Sequence, residues 1–173
     1  MSSILLRNLF RFIFLMALQI LVLKGVNLGG ADFNYITIFV YPLFLMSLPL
    51  NTPPFLMLLI GFLTGLTLDS FYDSIGMHAA TCVFMAYIRQ WMLNVLEPAG
   101  GYKEGVSPTK RNFGFLFFVK YACFFMLLHT LFYFSVEAYT FVYWRQILSK
   151  TAPSFGVSFL FIMLYSFIFD PAE

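Results

Sequence analysis

The sequence predicts an all-α integral membrane protein, with six transmembrane helices in one bundle and a single domain over residues 1–173. Three observations carry that expectation. The chain is 61% hydrophobic and 10% charged, whereas a soluble domain is about 45–50% apolar with about a quarter of its residues charged. Its mean hydropathy is +0.85, more apolar surface than a water-soluble fold of this size hides. Six separate apolar runs approach the roughly 20 residues needed to span a hydrocarbon core of about 30 Å.

The runs cover residues 4–23, 33–50, 54–71, 77–96, 113–136 and 153–169. In the first, Arg7 and Arg11 precede the apolar stretch, but Lys24-Gly25-Val26-Asn27 holds no small-x-small cleavage site. It reads as a retained helix and not a signal peptide. The second carries Pro42 near its middle and is expected to kink there. The second and third meet at Asn51-Thr52-Pro53-Pro54, a tight hairpin with proline placed to start the next helix. The third and fourth meet at Asp73-Ser74-Ile75-Gly76, also tight. Residues 97–112 form a polar, glycine-rich loop. Residues 137–152 mix Tyr139, Phe141, Tyr143, Trp144, Ile147 and Leu148 with Arg145 and Lys150. That loop is expected in the membrane interface, as an aromatic anchor or a docking surface for a periplasmic partner.

Lysine and arginine bias sets the orientation. With the N-terminus inside, Arg7, Arg11, Lys103, Lys110 and Arg111 are cytoplasmic, and Lys24, Arg145 and Lys150 lie outside. Arg89 and Lys120 are expected to snorkel toward the cytoplasmic side. Both termini are therefore expected inside. A net charge of +2 without a basic stripe speaks against a nucleic-acid partner. Cys82 and Cys123 sit in apolar runs and read as buried thiols.

The scarce polar residues gather by depth. At 1.5 Å per residue, Asp69 falls about 22 Å beyond Pro54, in the outer half of the membrane. Asp73, Gln19, His78 and His129 fall there too, an outer-half polar cluster. An intramembrane aspartate costs roughly 2.5–3.5 kcal/mol on insertion scales, so Asp69 is expected to face protein and to have a polar partner such as Gln19, His78 or His129. Gly61, Gly65 and Asp69 share one face of the third helix. The small-xxx-small pair lets another helix approach closely, whether a partner protein's or this chain's own.

Catalytic chemistry is not expected. Asp69 and Asp73 stand on one helix, where intramembrane aspartyl proteases use two. Asp69, Asp73 and His78 lack a recognised metal-ligand spacing and a fourth ligand. No phosphate-binding glycine loop, Ser–His–Asp set or His-Glu-x-x-His occurs. Neither a cofactor nor a metal is expected.

At these residues the chain resembles the rod shape-determining protein MreD family. The resemblance rests on Arg7-Asn8 and Arg11-Phe12, on Gln19 late in the first helix, and on Gly65-Leu66-Thr67-Leu68-Asp69 followed by Gly76-Met77-His78-Ala79. With length and layout it spans essentially the whole chain, on degenerate hydrophobic motifs. It implies a non-enzymatic inner-membrane subunit of the bacterial elongation machinery, set among membrane lipids and with no small-molecule substrate. The implied partners are the bitopic protein MreC and, indirectly, the MreB filament, RodA and a class B penicillin-binding protein. Members are similar in fold to the substrate-binding subunits of energy-coupling-factor vitamin transporters, which supplies the alternative reading.

Overall fold

The computed structural model describes residues 2–26, 36–74, 76–98, 100–102 and 105–169, and the side chains of residues 2–5, Arg7 and Phe141 are not described. Phe33, where the second run begins, Ile75 in the hairpin and Lys103 lie outside the described residues. The described chain is helical, with no strand. Helix α1 (Ser2–Ala17) continues through a π turn (Leu18–Val22) and a 3-10 turn (Leu23–Gly25). Then come α2 (Pro42–Met46), α3 (Pro54–Tyr72), α4 (Met77–Val95), α5 (Lys110–Phe113), α6 (Phe115–Glu137), a 3-10 turn (Phe141–Tyr143) and α7 (Trp144–Ile168).

Among the described residues, four helical stretches are long and apolar enough to cross a membrane: Asn8–Gly25, Pro54–Tyr72, Phe115–Glu137 and Trp144–Ile168. Helix α4 matches α3 in length but carries His78, Arg89, Gln90 and Asn94. It packs between α3 and α6 and touches α2.

The second apolar run departs from expectation. It does not form a kinked long helix: residues 36–40 have no helical structure, and among its described residues only Pro42–Met46 is helical. Pro42 starts that short helix, where its missing N–H leaves no bond unmade. Ile38, Phe39, Val40 and Tyr41 are all buried. Buried non-helical backbone has to have its polar groups satisfied, and other helices do so here. Thr37 N–H donates to Ser154 Oγ (3.0 Å) and Phe39 N–H to Ser158 Oγ (2.8 Å), both on α7. Gln19 supplies the rest: its Oε1 accepts from Val40 N–H (2.9 Å) and its Nε2 donates to the Ile38 carbonyl (2.9 Å).

The far end of this segment is held by cations. Arg11 Nη1 donates to the Ser47 carbonyl (3.4 Å). Arg89 Nη2 donates to the carbonyls of Met46 and Leu48. The last carbonyls of a helix lack intrahelical partners and carry its negative dipole end, so positive groups belong there. Arg89 therefore does not snorkel to a surface: it is 2% exposed, inside the bundle, while Lys120 is exposed.

Two further expectations change. Residues 137–152 are not a loop throughout, because α7 begins at Trp144 and contains Pro153. Tyr139, Val142, Tyr143 and Trp144 at the turn are exposed, whereas Ile147 is buried. The fifth apolar run is also divided at its start: Gly114, at φ 85°, separates α5 from α6. Cys82 is buried and Cys123 is partly buried, both as free thiols.

Candidate functional site

Helices α3 and α4 form a hairpin whose contact begins with glycine. A Cβ at Gly65 would lie 2.3 Å from Ala79 Cα and 2.5 Å from Ala79 N. One at Gly61 would lie 2.9 Å from the Cys82 carbonyl oxygen and 3.1 Å from Ala86 Cβ. The backbones touch where side chains would hold them apart. The face of Gly61, Gly65 and Asp69 thus packs on this chain's own α4.

One turn beyond Gly65 the same face ends in Asp69, which is buried. Its Oδ1 accepts from Ser74 Oγ (2.7 Å) and from His78 N–H (3.0 Å), and its Oδ2 accepts from Ala79 N–H (2.9 Å). Gly76 precedes α4 at φ 77°, a left-handed conformation that glycine adopts without strain. It has no side chain with which to cap the helix. Asp69 does that work from the preceding helix, filling the second and third N–H positions of α4. The N-terminal dipole of α4 favours the carboxylate there, and charge-assisted bonds offset the desolvation of a buried acid.

His78 completes the group. Its Nδ1 lies 3.0 Å from Asp69 Oδ1 and 2.9 Å from Ser74 Oγ. Its ring meets Tyr72 and Tyr133, each at a centroid distance of 5.0 Å, and Tyr41 at 5.9 Å. Tyr72 ties the group to α1: its hydroxyl donates to the Gln19 carbonyl (3.0 Å) and accepts from Gln19 Nε2 (2.9 Å). The π turn at Gln19 widens the helix where this side chain enters the bundle. His129 joins through Tyr41, whose hydroxyl lies 2.8 Å from its Nε2.

Of the residues expected in the polar cluster, Asp69 and His78 are in direct contact. Gln19 connects through Tyr72, and His129 connects through Tyr41. Asp73 does not belong to it. It is exposed at φ 53°, ending α3, with its N–H donating to the Asp69 carbonyl. Turning the chain into the hairpin takes that conformation, which directs the side chain away. Sequence reasoning missed Ser74 and the three tyrosines Tyr41, Tyr72 and Tyr133. Tyr72 and Ser74 flank Asp73 in sequence and were within reach of a local argument; Tyr41 and Tyr133 were not.

Ser74, His78 and Asp69 share the residue types of a hydrolytic triad without its geometry. A triad sets serine on one ring nitrogen and the carboxylate on the other. Here both meet Nδ1, and the serine hydroxyl donates to the carboxylate. Among the described residues, no three His, Cys, Asp or Glu side chains gather as a metal site.

Compared with models of protein families, with curated proteins and with solved structures, the chain has no match.

Proposed function

We propose that this chain is an MreD-like scaffold subunit of a bacterial elongation complex, without enzymatic activity, held in the inner membrane with both termini cytoplasmic. Its work would be to keep an MreC-like bitopic protein in register with other membrane components. Through that protein it would act on MreB, RodA and a class B penicillin-binding protein during lateral peptidoglycan synthesis and cell-shape control. One observation carries the reading. Three residues on which the resemblance rests direct their polar atoms inward and bond them to the fold: Asp69 to α4, His78 to Asp69, Gln19 to residues 38–40. What remains outward on α3 before Ser70 and on α7 beyond Pro153 is apolar, including Phe55, Leu59, Leu63, Leu160, Leu164 and Phe167. Such a body meets lipid and the apolar helices of other proteins.

A specific observation keeps the alternative in view. An unwound segment crossing mid-bundle, as residues 36–40 do, is where transporters place their ligands. The test is purification of the tagged protein in mild detergent from its native cells. Co-purification of an MreC-like protein and a penicillin-binding protein supports the scaffold. Paired ATPases with a membrane coupler, or a stoichiometric vitamin, would replace it with the transporter subunit. Orientation is checked by labelling Gly100→Cys and Asp73→Cys in intact cells with an impermeant thiol reagent, in a variant lacking Cys82 and Cys123. Label is expected at residue 73 and not at residue 100.

A further inference from the structure

At the end of the α3–α4 hairpin away from Asp69, a cavity of about 230 Å³ opens between the start of α3 and the late turns of α4. Thr52, Met57, Leu58, Tyr87, Gln90 and Arg89 are among the residues lining it. Tyr87, 76% exposed, forms its outward rim. Arg89 is buried, yet its Nε has no hydrogen-bond partner. Among the described residues no carboxylate lies within 4.0 Å of its guanidinium. Its contacts are the carbonyls of Met46 and Leu48 and the Tyr121 hydroxyl, neutral groups that orient it without cancelling its charge. An arginine does not escape by losing a proton. A buried cation needs a counter-charge, and the cavity beside it is where one fits.

We infer that this cavity takes the phosphate of an anionic phospholipid, with Arg89 as its counter-ion. Position favours a lipid over a partner's carboxylate. Arg89 stands six residues before the end of α4 at Val95, about 9 Å along the helix axis. Exposed Tyr87 and Trp91 flank it on α4, and exposed Phe55 lies in the first turn of α3. Aromatic side chains collect at headgroup level. From there the acyl chains lie along exposed Leu56, Leu59 and Leu63 of α3. The inference does not depend on the scaffold assignment, only on the chain residing in a bilayer.

Native mass spectrometry of the full chain in mild detergent tests it, with dioleoyl-phosphatidylglycerol, dioleoylglycerol and inorganic phosphate as probes. The wild type is expected to hold phosphatidylglycerol at least tenfold more tightly than dioleoylglycerol. Arg89→Gln is expected to remove that difference. Because Arg89 also anchors residues 46 and 48, Leu58→Trp provides the second variant: it fills the cavity without touching the arginine's hydrogen bonds, and the same loss is expected. Equal retention of dioleoylglycerol, or undiminished phosphatidylglycerol in Leu58→Trp, overturns the inference. So does displacement of the lipid by millimolar inorganic phosphate, which would assign the site to the free anion. A protein partner lost from Arg89→Gln while lipid stays bound would assign the arginine to that partner's carboxylate instead.

Discussion

In the α3–α4 hairpin, the carboxylate that satisfies the Ala79 N–H lies ten residues upstream. In the extended segment, the hydroxyl that satisfies the Phe39 N–H lies 119 residues downstream. Both regions bury polar backbone in an apolar bundle and both satisfy it with side chains. The hairpin does so locally, and its glycines and aspartate recur at helical spacing within one stretch of sequence. The segment borrows from α1, α4 and α7, so it takes shape only when those helices are assembled around it. The hairpin is therefore the part expected to form early and to tolerate change poorly at its contact. The segment is the part expected to be loosened by remote substitutions.

The largest expected effect breaks the hairpin. In Gly65→Ala the new methyl carbon meets Ala79 Cα at 2.3 Å, a contact that only separation of the two helices relieves. Overpacking typically costs about 1–3 kcal/mol and occasionally more, and this site belongs at or above the top of that range. Gly61→Ala, with contacts of 2.9 and 3.1 Å, is expected to cost about 1 kcal/mol. The check is the unfolding midpoint in detergent, followed by reaction of the buried Cys82 thiol with a fluorescent maleimide in a Cys123→Ser background. A Gly65→Ala midpoint equal to that of Gly61→Ala would mean that backbone contact does not hold the hairpin.

The contrast also explains what could be read from the residues alone. Pro54 starting α3, the turn near Asp73, and the shared face of Gly61, Gly65 and Asp69 are all local, and the pattern exposes them. That Asp69 caps α4 follows from Gly76 standing bare at its N-terminus, a step that the sequence permits. The second run looked helical because it is long and apolar, and length and hydropathy do not report hydrogen-bond partners. Two signals were present nonetheless. Ile36-Thr37-Ile38-Phe39-Val40-Tyr41 is an unbroken β-branched and aromatic run, which suits extended backbone. Thr151, Ser154, Ser158 and Ser166 make a polar stripe on α7 that is buried, and buried hydroxyls there have to meet something. Neither signal names the other, and only packing joins them. The Arg89 position was misread for a related reason: its carbonyl partners belong to a helix end that the apolar pattern did not show.

A second, intermediate effect sharpens the comparison from the side of the segment. Gln19→Leu leaves the Val40 N–H and the Ile38 carbonyl buried without the partner that serves both, and removes a bond to Tyr72. An orphaned buried polar group costs about 1–3 kcal/mol, so a loss of about 2–4 kcal/mol is expected. Ser158→Ala orphans one group, the Phe39 N–H, and is expected to cost about 1–2 kcal/mol. Hydrogen exchange should show the difference in kind: in both variants the amides of residues 37–40 lose protection while those of α3 and α4 keep theirs. Loss spread equally over the hairpin would mean that the two regions unfold as one and are not separable.

The smallest expected effect comes from a pair that belongs to neither region. Lys150 Nζ lies 3.0 and 3.1 Å from the two Glu137 oxygens, joining the end of α6 to α7. Both side chains keep solvent contact, at 20% and 36% relative exposure, so water competes for each. Exposed ion pairs contribute about 0.2–1 kcal/mol, and at 1 M salt the screening length falls to about 3 Å. Glu137→Gln is therefore expected to lower stability by less than about 1 kcal/mol, with the difference from wild type vanishing in 1 M sodium chloride. Unfolding midpoints at low and high salt measure this. The pair serves as the reference for the buried contacts, because it has a shorter reach in sequence than the Gln19 clamp and carries full charges. If Glu137→Gln destabilises as much as Gln19→Leu, charge at the rim outweighs hydrogen-bond satisfaction inside, and the distinction between local and borrowed partners loses its energetic basis.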